Sequence, residues 1–335
     1  MTLIAIEEHW IMPELTAALR DSGDESLAFN DLGDHRERLR DLGAGRIAAM
    51  DAQGIDVAVL ALTPPGTQPL APDAAIRLSR AANDRAAEAV AAHPSRFRAL
   101  STLPMSAPDA VAPGAIVAEL ERAAGLGHVG TMVHARAGDL LLDDPAYDDF
   151  FAACARLGQP VFLHPQLPSR AVRDASYRGF TPTTDLALAT FGWGWHLDTA
   201  TAALRLILRG TVDRHPALQI ILGHWGEMLL FWLDRADSLS RVAGLPRPIR
   251  DYIRTNFFIT TSGMHNPALL DHALSVTTPD RLLFSTDYPF QHPTGPEIAA
   301  FLQHFPTEEA RTLFTAENAA ALFGIDLPVT VKRPG

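Results

Sequence analysis

Eight short apolar runs recur along this chain of 335 residues. Each run is followed by a polar or Pro/Gly-containing segment and then by a longer Ala- and Leu-rich stretch with helical spacing. The runs occupy residues 3–6, 55–62, 97–103, 129–134, 160–164, 218–223, 256–261 and 281–285. Runs that are apolar on both faces are typical of parallel strands covered by helices. Eight such strand-helix units predict an α/β fold, specifically a (β/α)8 TIM barrel.

A doubly wound open sheet would show the same alternation of strands and helices. That fold commonly carries a G-x-G-x-x-G motif after its first strand, and no such motif follows residues 3–6. Because a barrel typically uses about 250 residues, we expect residues 1–335 to form a single barrel domain. The stretch at about 21–45 is expected to be an insertion after the first strand.

Composition restricts the partners of the chain. The sequence has 28 Lys and Arg against 39 Asp and Glu, a net charge of −11, and its arginines are interleaved with acids. Nucleic-acid binding is therefore not expected, because it requires a basic face. The chain lacks both a basic leader and an apolar run of about 20 residues, which predicts a cytoplasmic protein without a membrane span. Cys154 is the only cysteine, so neither an intrachain disulfide nor a Cys-rich zinc site is expected.

Polar residues follow four of the predicted strands. Glu7 and His9 end the first, His164 ends the fifth, His224 follows the sixth and Asp287 follows the eighth. Catalytic residues of barrels lie at this C-terminal rim. Residues two apart on a strand point the same way, so Glu7 and His9 should face the barrel axis together. Adding His164 and Asp287 to Glu7 and His9 gives two imidazoles and two carboxylates, a set that suits one divalent metal, Zn²⁺ or Mn²⁺.

Single histidines are more often hydrogen-bonded structural residues than ligands. His93 and His215 precede prolines at helix-to-strand turns, which belong to the opposite face of the barrel. Four others are expected to be peripheral: His35, His128, His272 and His304. His134 and His196 are candidates for the pocket, and Trp10, Trp193 and Trp195 lie where they could form an aromatic wall.

Five motifs together resemble the amidohydrolase-related, metal-dependent decarboxylases (the ACMSD-like group). They are Glu7-x-His9, PVFLHP around His164, ILGHWGE around His224, FWLDR ending at Arg235 and LLFSTDYP around Asp287. The Glu-x-His form of the first motif resembles the branch that contains γ-resorcylate (2,6-dihydroxybenzoate) decarboxylase.

The resemblance implies a role for each of these residues. Glu7, His9, His164 and Asp287 would hold one metal ion. His224 and Glu227 would form a catalytic relay, and Asp287 would protonate the ring carbon of a hydroxylated aromatic acid as CO2 leaves. The residues expected to contact the substrate are Arg235, Trp10, Trp193, His196 and Tyr288. A homodimer or homotetramer is also implied, with Arg235 at the substrate carboxylate or at a neighbouring subunit's site.

Other functions fit the same residues. A metal-dependent hydrolase of an ester, lactone or amide could use Asp287 to activate a metal-bound water. A barrel that only binds a ligand is a third reading. Arg170, Arg173 and Arg178 could attract an anionic substrate or could form surface salt bridges. Phe231 and Trp232 could lie at an interface between subunits or pack inward on the barrel.

Overall fold

The computed structural model describes residues 1–23, 25–31, 34–108 and 111–327. Eight parallel strands are hydrogen-bonded to their neighbours in chain order. They span Ile4–Trp10, Val57–Leu62, Phe97–Thr102, Gly130–Val133, Val161–Leu163, Ile220–Leu222, Phe257–Thr260 and Leu282–Leu283. Each lies within, or overlaps, one of the eight predicted runs, and we number them one to eight. The Ile6 N–H donates to the Phe284 carbonyl at 3.1 Å and so joins the first strand to the end of the eighth. The predicted (β/α)8 barrel is confirmed.

Two apolar layers support the barrel. Inside it, alternate strand residues meet one another, among them Ile4, Ile6, Val59, Leu100 and Phe162. The intervening strand residues face outward and pack against the helices in a second, larger cluster. This division follows from the alternation of side chains along a strand, because residues two apart face the same side. The register of the first strand shifts between Ala5 and Glu8, which lets Glu7 and His9 face the interior although Ile4 and Ile6 also do.

Helices cover the outside and follow the strands. The α-helices are Pro13–Asp21, His35–Arg40, Ala44–Gln53, Pro72–Ala92, Ala115–Gly125, Asp148–Leu157, Arg170–Ser176, Pro182–Ala189, Gly194–Leu208, Thr211–Arg214, Leu233–Ala236, Ser238–Ala243, Ile249–Asn256, Pro267–Val276, Gly295–Leu302, Glu308–Thr312 and Asn318–Phe323. The segment His224–Glu227 is a turn with positive φ values and not a right-handed helix. Short 3-10 turns lie at Ser26–Asp31, Pro145–Tyr147 and Pro279–Arg281, a π-helix spans Leu313–Glu317, and a small hairpin pairs Arg136–Ala137 with Leu140–Leu141. Prolines at the first helical turn start several helices, since their missing N–H would be unpaired there anyway.

One predicted helix is wrong in its first part. The apolar spacing predicts a helix from Glu227 to Val242, but Met228 has a φ of 66°, which a right-handed helix cannot accommodate. The chain instead forms two short helices, Leu233–Ala236 and Ser238–Ala243. The interruption directly follows Glu227, a predicted site residue.

The segment between the first and second strands is fastened beside the end of the first strand. It contains the 3-10 turn Ser26–Asp31 and the helix His35–Arg40, within the predicted insertion. The buried Arg46 side chain, just after the insertion, donates from Nη2 to the His9 carbonyl at 2.5 Å. The Ile11 N–H donates to the Leu39 carbonyl at 2.9 Å. These contacts bring Phe29 and His35 to the mouth of the barrel.

Candidate active site

Four side chains at the C-terminal rim of the barrel converge on one point. One ligand atom from each of Glu7, His9, His164 and Asp287 lies within 4.8 Å of the others, and all four residues are buried. His9 Nε2 is 3.2 Å from Asp287 Oδ1, and His164 Nε2 is 3.3 Å from Glu7 Oε1. The barrel therefore brings together the four residues that were predicted as metal ligands.

Neighbouring groups orient these ligand atoms. The Ser262 hydroxyl donates to Glu7 Oε2 at 2.5 Å, which leaves Oε1 pointing into the cluster. His164 Nδ1 donates to the Pro165 carbonyl at 2.8 Å, which leaves Nε2 without a hydrogen for the cluster. A hydrogen bond from the far nitrogen commonly fixes the tautomer of a metal-binding histidine.

The cluster fits a cation better than an apolar core. Glu7 Oε1, His9 Nε2 and His164 Nε2 are buried and have no hydrogen-bond partner among the residues that the structure describes. Leaving three such atoms unpaired at one point would be costly, and a metal ion would satisfy all of them. Two imidazole nitrogens and two carboxylate oxygens are a donor set that Zn²⁺ and Mn²⁺ both accept.

The backbone at the strand exits adopts an uncommon conformation. Asp287, Ser262, His224 and Glu227 have φ values of 61°, 43°, 49° and 55°. Positive φ is unfavourable for residues with a side chain, and such residues often cluster at functional sites. Here the left-handed backbone turns each side chain at the end of its strand, and all four surround the mouth of the barrel.

His224 and Glu227 form an ion pair next to the cluster. His224 Nδ1 lies 2.8 Å from Glu227 Oε1. Although burial lowers the pKa of His224, the Glu227 carboxylate raises it to about 10. Burial would raise the pKa of Glu227, but the positive charge on His224 and the contact with His196 lower it to about 2. A protonated imidazole next to an ionised carboxylate can hold a positive charge beside a bound anion.

Gly223 allows this pair and the metal cluster to lie close together. A Cβ atom at Gly223 would sit 2.9 Å from Ser262 Oγ and 3.2 Å from both Glu227 Oε1 and Glu7 Oε1. The φ of Gly223 is −72°, so the position requires glycine for space and not for backbone conformation.

A small cavity opens beside these groups. It has a volume of about 220 Å³. Its polar lining residues are His35, His164, His196, His224, Ser262, Asp287 and Gln291. Its apolar walls are Phe29, Pro64, Phe191, Trp195, Met264 and Phe290. None of these lining residues, all from the described part of the chain, is Lys or Arg.

Four of the residues expected to contact a substrate do not line this cavity. Trp10 follows His9 on the strand and so points the other way, into the hydrophobic core. Trp193 is 43% exposed just before the helix Gly194–Leu208. The Arg46 guanidinium lies over the Tyr288 ring, with its carbon 4.8 Å from the ring centroid. Arg235 is exposed on a short outer helix. His196 does line the cavity.

Sequence reasoning also missed several lining residues. The expectation that His35 is peripheral is wrong, because the segment between the first and second strands places it at the cavity. Of the three tryptophans proposed for the aromatic wall, Trp195 lines the cavity, whereas Trp10 and Trp193 do not. Ser262 lies two residues beyond the seventh strand, so the rule that selected the other strand exits would also have found it.

The arginines after the fifth strand are paired with acids. Arg178 Nε lies 2.7 Å from Asp174, Arg170 Nε lies 3.5 Å from the same carboxylate, and Arg173 Nη1 lies 2.5 Å from Glu25. The salt-bridge interpretation of these residues is therefore confirmed.

Comparisons with known proteins identify the family of the chain. Residues 23–325 match the family model described as amidohydrolase. The chain belongs to the amidohydrolase family. It is 37% identical over 311 residues to γ-resorcylate decarboxylase from Rhizobium sp. (strain MTP-10005), which covers 86% of this chain and 88% of the relative.

Solved structures of the amidohydrolase fold are similar over nearly their whole length. 5-Carboxyvanillate decarboxylase from Sphingomonas paucimobilis has a TM-score of 0.87 and 32% identity, covering 97% of this chain and 99% of that one. Dihydroxybenzoic acid decarboxylase from Polaromonas sp. JS666, solved with manganese and the inhibitor 2-nitroresorcinol, has a TM-score of 0.82 and 32% identity, covering 99% of each chain. These relatives favour decarboxylation over the hydrolase alternative. None of the helices in the described part of the chain is both long and apolar enough to cross a membrane.

Proposed function

We propose that this amidohydrolase is a metal-dependent, non-oxidative decarboxylase of a hydroxylated aromatic acid. The observation that carries the proposal is the convergence of Glu7, His9, His164 and Asp287 next to an aromatic-walled cavity. Relatives that are more than 30% identical over most of the chain are decarboxylases of such acids.

The chain's own residues would carry out distinct parts of the reaction. Glu7, His9, His164 and Asp287 would hold one divalent cation, Mn²⁺ or Zn²⁺, which supplies Lewis-acid binding of the substrate carboxylate and its ortho-hydroxyl oxygen. His224, kept protonated by Glu227, places a positive charge beside these oxygens. The aromatic walls hold the ring in place.

Asp287 is the proposed proton donor. Burial and the nearby Glu7 carboxylate raise the pKa of Asp287 well above the ordinary value, and both effects would work against the lowering of that pKa by a bound cation, so the carboxyl group can take up and return a proton next to the cluster. The proton passes from Asp287 to the ring carbon that carries the carboxylate, and a C–H bond forms. The C–C bond then breaks, its electron pair returns to the ring, and CO2 leaves.

The cavity restricts the size and charge of the substrate. Its volume of about 220 Å³ is below the roughly 300–1,000 Å³ of pockets for drug-sized ligands, which fits one aromatic ring. A second carboxylate would find no Lys or Arg among the lining residues, and a buried charge without a countercharge is costly. We therefore propose a single-ring substrate with one carboxylate.

A substrate panel tests the proposal. Protein loaded with Mn²⁺ or Zn²⁺ is incubated with ortho-hydroxybenzoates, including 2,6-dihydroxybenzoate, and with the dicarboxylate 5-carboxyvanillate. We expect a phenol and CO2 from at least one monocarboxylate, and a kcat/KM at least about tenfold lower for the dicarboxylate because its second charge lacks a partner. Absence of a phenol from every acid on the panel would contradict the proposed function.

The chain is also proposed to form a homodimer or homotetramer. Phe231 and Trp232 are 71% and 62% exposed, and their rings are stacked with centroids 6.0 Å apart. They point outward, beside Arg235, so the alternative of inward packing does not hold. Adjacent large aromatics on a surface are typical of protein interfaces.

Charged substitutions in this aromatic pair test the oligomer. Phe231→Asp with Trp232→Asp is expected to convert the oligomer to a monomer, because two carboxylates would be buried at the interface. The measurement is the mass in solution by light scattering. Val111→Asp, at another position that is 60% exposed, is the matched control and should keep the oligomeric mass. A monomeric wild type would contradict this part of the proposal.

A further inference from the structure

His196 forms a hydrogen bond to the second oxygen of the Glu227 carboxylate. His196 Nδ1 lies 2.6 Å from Glu227 Oε2, while His224 Nδ1 lies 2.8 Å from Oε1. Glu227 is fully buried, and both imidazoles line the cavity with ring centroids 4.6 Å apart. One carboxylate is thus shared between two histidines.

The two hydrogen bonds together fix the orientation of the Glu227 carboxylate. The last torsion of a glutamate has a broad energy profile, so a single hydrogen bond to His224 would allow the carboxylate to turn. A second bond, on the other oxygen and from another element of the fold, removes that freedom. His196 comes from the helix Gly194–Leu208, whereas Glu227 and His224 lie together after the sixth strand.

The ring of His196 is itself held in one orientation. The Trp195 indole N–H donates to His196 Nε2 at 3.0 Å, so the neutral ring carries its hydrogen on Nδ1. In the protonated ring, Nε2 would donate instead to the Phe191 carbonyl, 3.2 Å away. In both forms Nδ1 is the donor that faces Glu227.

The turn that carries His196 is closely packed. A Cβ atom at Gly194 would lie 2.6 Å from the Ala189 carbonyl oxygen and 2.7 Å from the Tyr177 ring. The backbone therefore approaches its neighbours as only glycine permits, two residues before His196. This packing restricts the backbone next to His196 and so keeps its side chain in place against Glu227.

A second cation site is the competing explanation, because His196, His224 and Glu227 also lie within 4.8 Å of one another. The two clusters differ in their hydrogen bonds. The four facing atoms here form two pairs at hydrogen-bond distance, whereas the cluster around Glu7 and His9 contains buried atoms without partners. The arrangement is complete without an ion.

We propose that His196 is a positioning residue for the decarboxylation, which holds Glu227 so that its Oε1 atom faces His224. This inference rests on the proposed function. His196 acts through Glu227, and its removal should slow the chemical step more than it weakens substrate binding.

Two substitutions at one position test the proposal. His196→Leu removes the donor and should lower kcat by about 10- to 100-fold, since a hydrogen bond to a charged group is lost, with KM changed by less than about threefold. His196→Asn places an amide N–H near the position of Nδ1 and should restore kcat to within about threefold of the wild type. Thr201→Ala is the control and should leave kcat and KM unchanged, because Thr201 is exposed on the same helix and its hydroxyl donates to the Leu197 carbonyl, away from Glu227. Equal losses of kcat in the Leu and Asn variants would overturn the proposal.

Two further measurements separate this proposal from the proposed function. In a Glu227→Gln background, His196→Leu should cause little additional loss of kcat, and full additivity would overturn the coupling. Crystal structures of the variants supply a readout without turnover. The Glu227 carboxylate should be rotated in His196→Leu and unmoved in His196→Asn. An unmoved carboxylate in both would overturn the proposal, whereas an inactive wild type would count only against the proposed function.

Discussion

The Glu7→Ala, His9→Ala double variant is expected to lose its metal ion and its turnover together. The substitutions remove one carboxylate and one imidazole from a cluster whose ligand atoms lie within 4.8 Å of one another. The two ligands that remain, His164 and Asp287, cannot complete the coordination of a divalent ion. Loss of Lewis-acid binding amounts to several kcal/mol at the transition state, so we expect turnover to fall at least about a thousandfold.

Elemental analysis of purified protein is the measurement that checks this. The wild type should contain about one Mn or Zn per chain and the double variant almost none. His304→Ala is the matched control, because it removes an exposed histidine outside the cluster and should leave both metal content and activity unchanged. Circular dichroism shows whether the double variant still folds. A folded double variant that retains one metal per chain would disprove the assignment of the ligands.

The barrel could be predicted because its signal is local and repeated. Each of the eight predicted runs contains or overlaps one observed strand. Burial of strands on both faces leaves a continuous apolar run in the sequence, which is visible without any tertiary contact. The helix predicted over 227–242 failed in its first part because the spacing of apolar residues carries no information on backbone conformation. Met228 has a φ of 66°, which interrupts the helix there.

The convergence of the four proposed metal ligands could be predicted for a related reason. Glu7, His9, His164 and Asp287 each lie at a strand end, so the topology of the barrel brings them together. Strand alternation also separates His9 from Trp10, and applying it to both residues would have placed Trp10 in the core.

The walls of the cavity could not be predicted in the same way. Phe29 and His35 reach the cavity because Arg46 fastens the inserted segment to the end of the first strand, a contact between residues 37 apart. The choice of Trp195 over Trp193 depends on the turn that begins the helix at Gly194. Such placements follow from loop conformation and long-range packing, which leave no periodic pattern in the sequence.

Neutralising Glu227 is expected to slow catalysis strongly while the metal stays bound. In Glu227→Gln, the carboxylate that raises the pKa of His224 to about 10 is gone, and burial then favours the neutral imidazole. The positive charge that would face the substrate oxygens is lost. Removal of such a group commonly costs about 10²- to 10⁴-fold in rate, and we expect kcat to fall within that range.

The isosteric change separates catalysis from folding. Gln keeps the size of Glu227, so the contacts that Gly223 permits are preserved, and metal content should remain about one per chain. His224→Asn should cause a loss of kcat similar to that of Glu227→Gln, and the double variant should be little worse than either single one, because the two residues act as a unit. Independent, multiplicative losses would mean that His224 and Glu227 do not work as a pair. Loss of the metal in Glu227→Gln would instead make Glu227 a ligand of the metal, together with Glu7, whose carboxylate also lies next to Gly223.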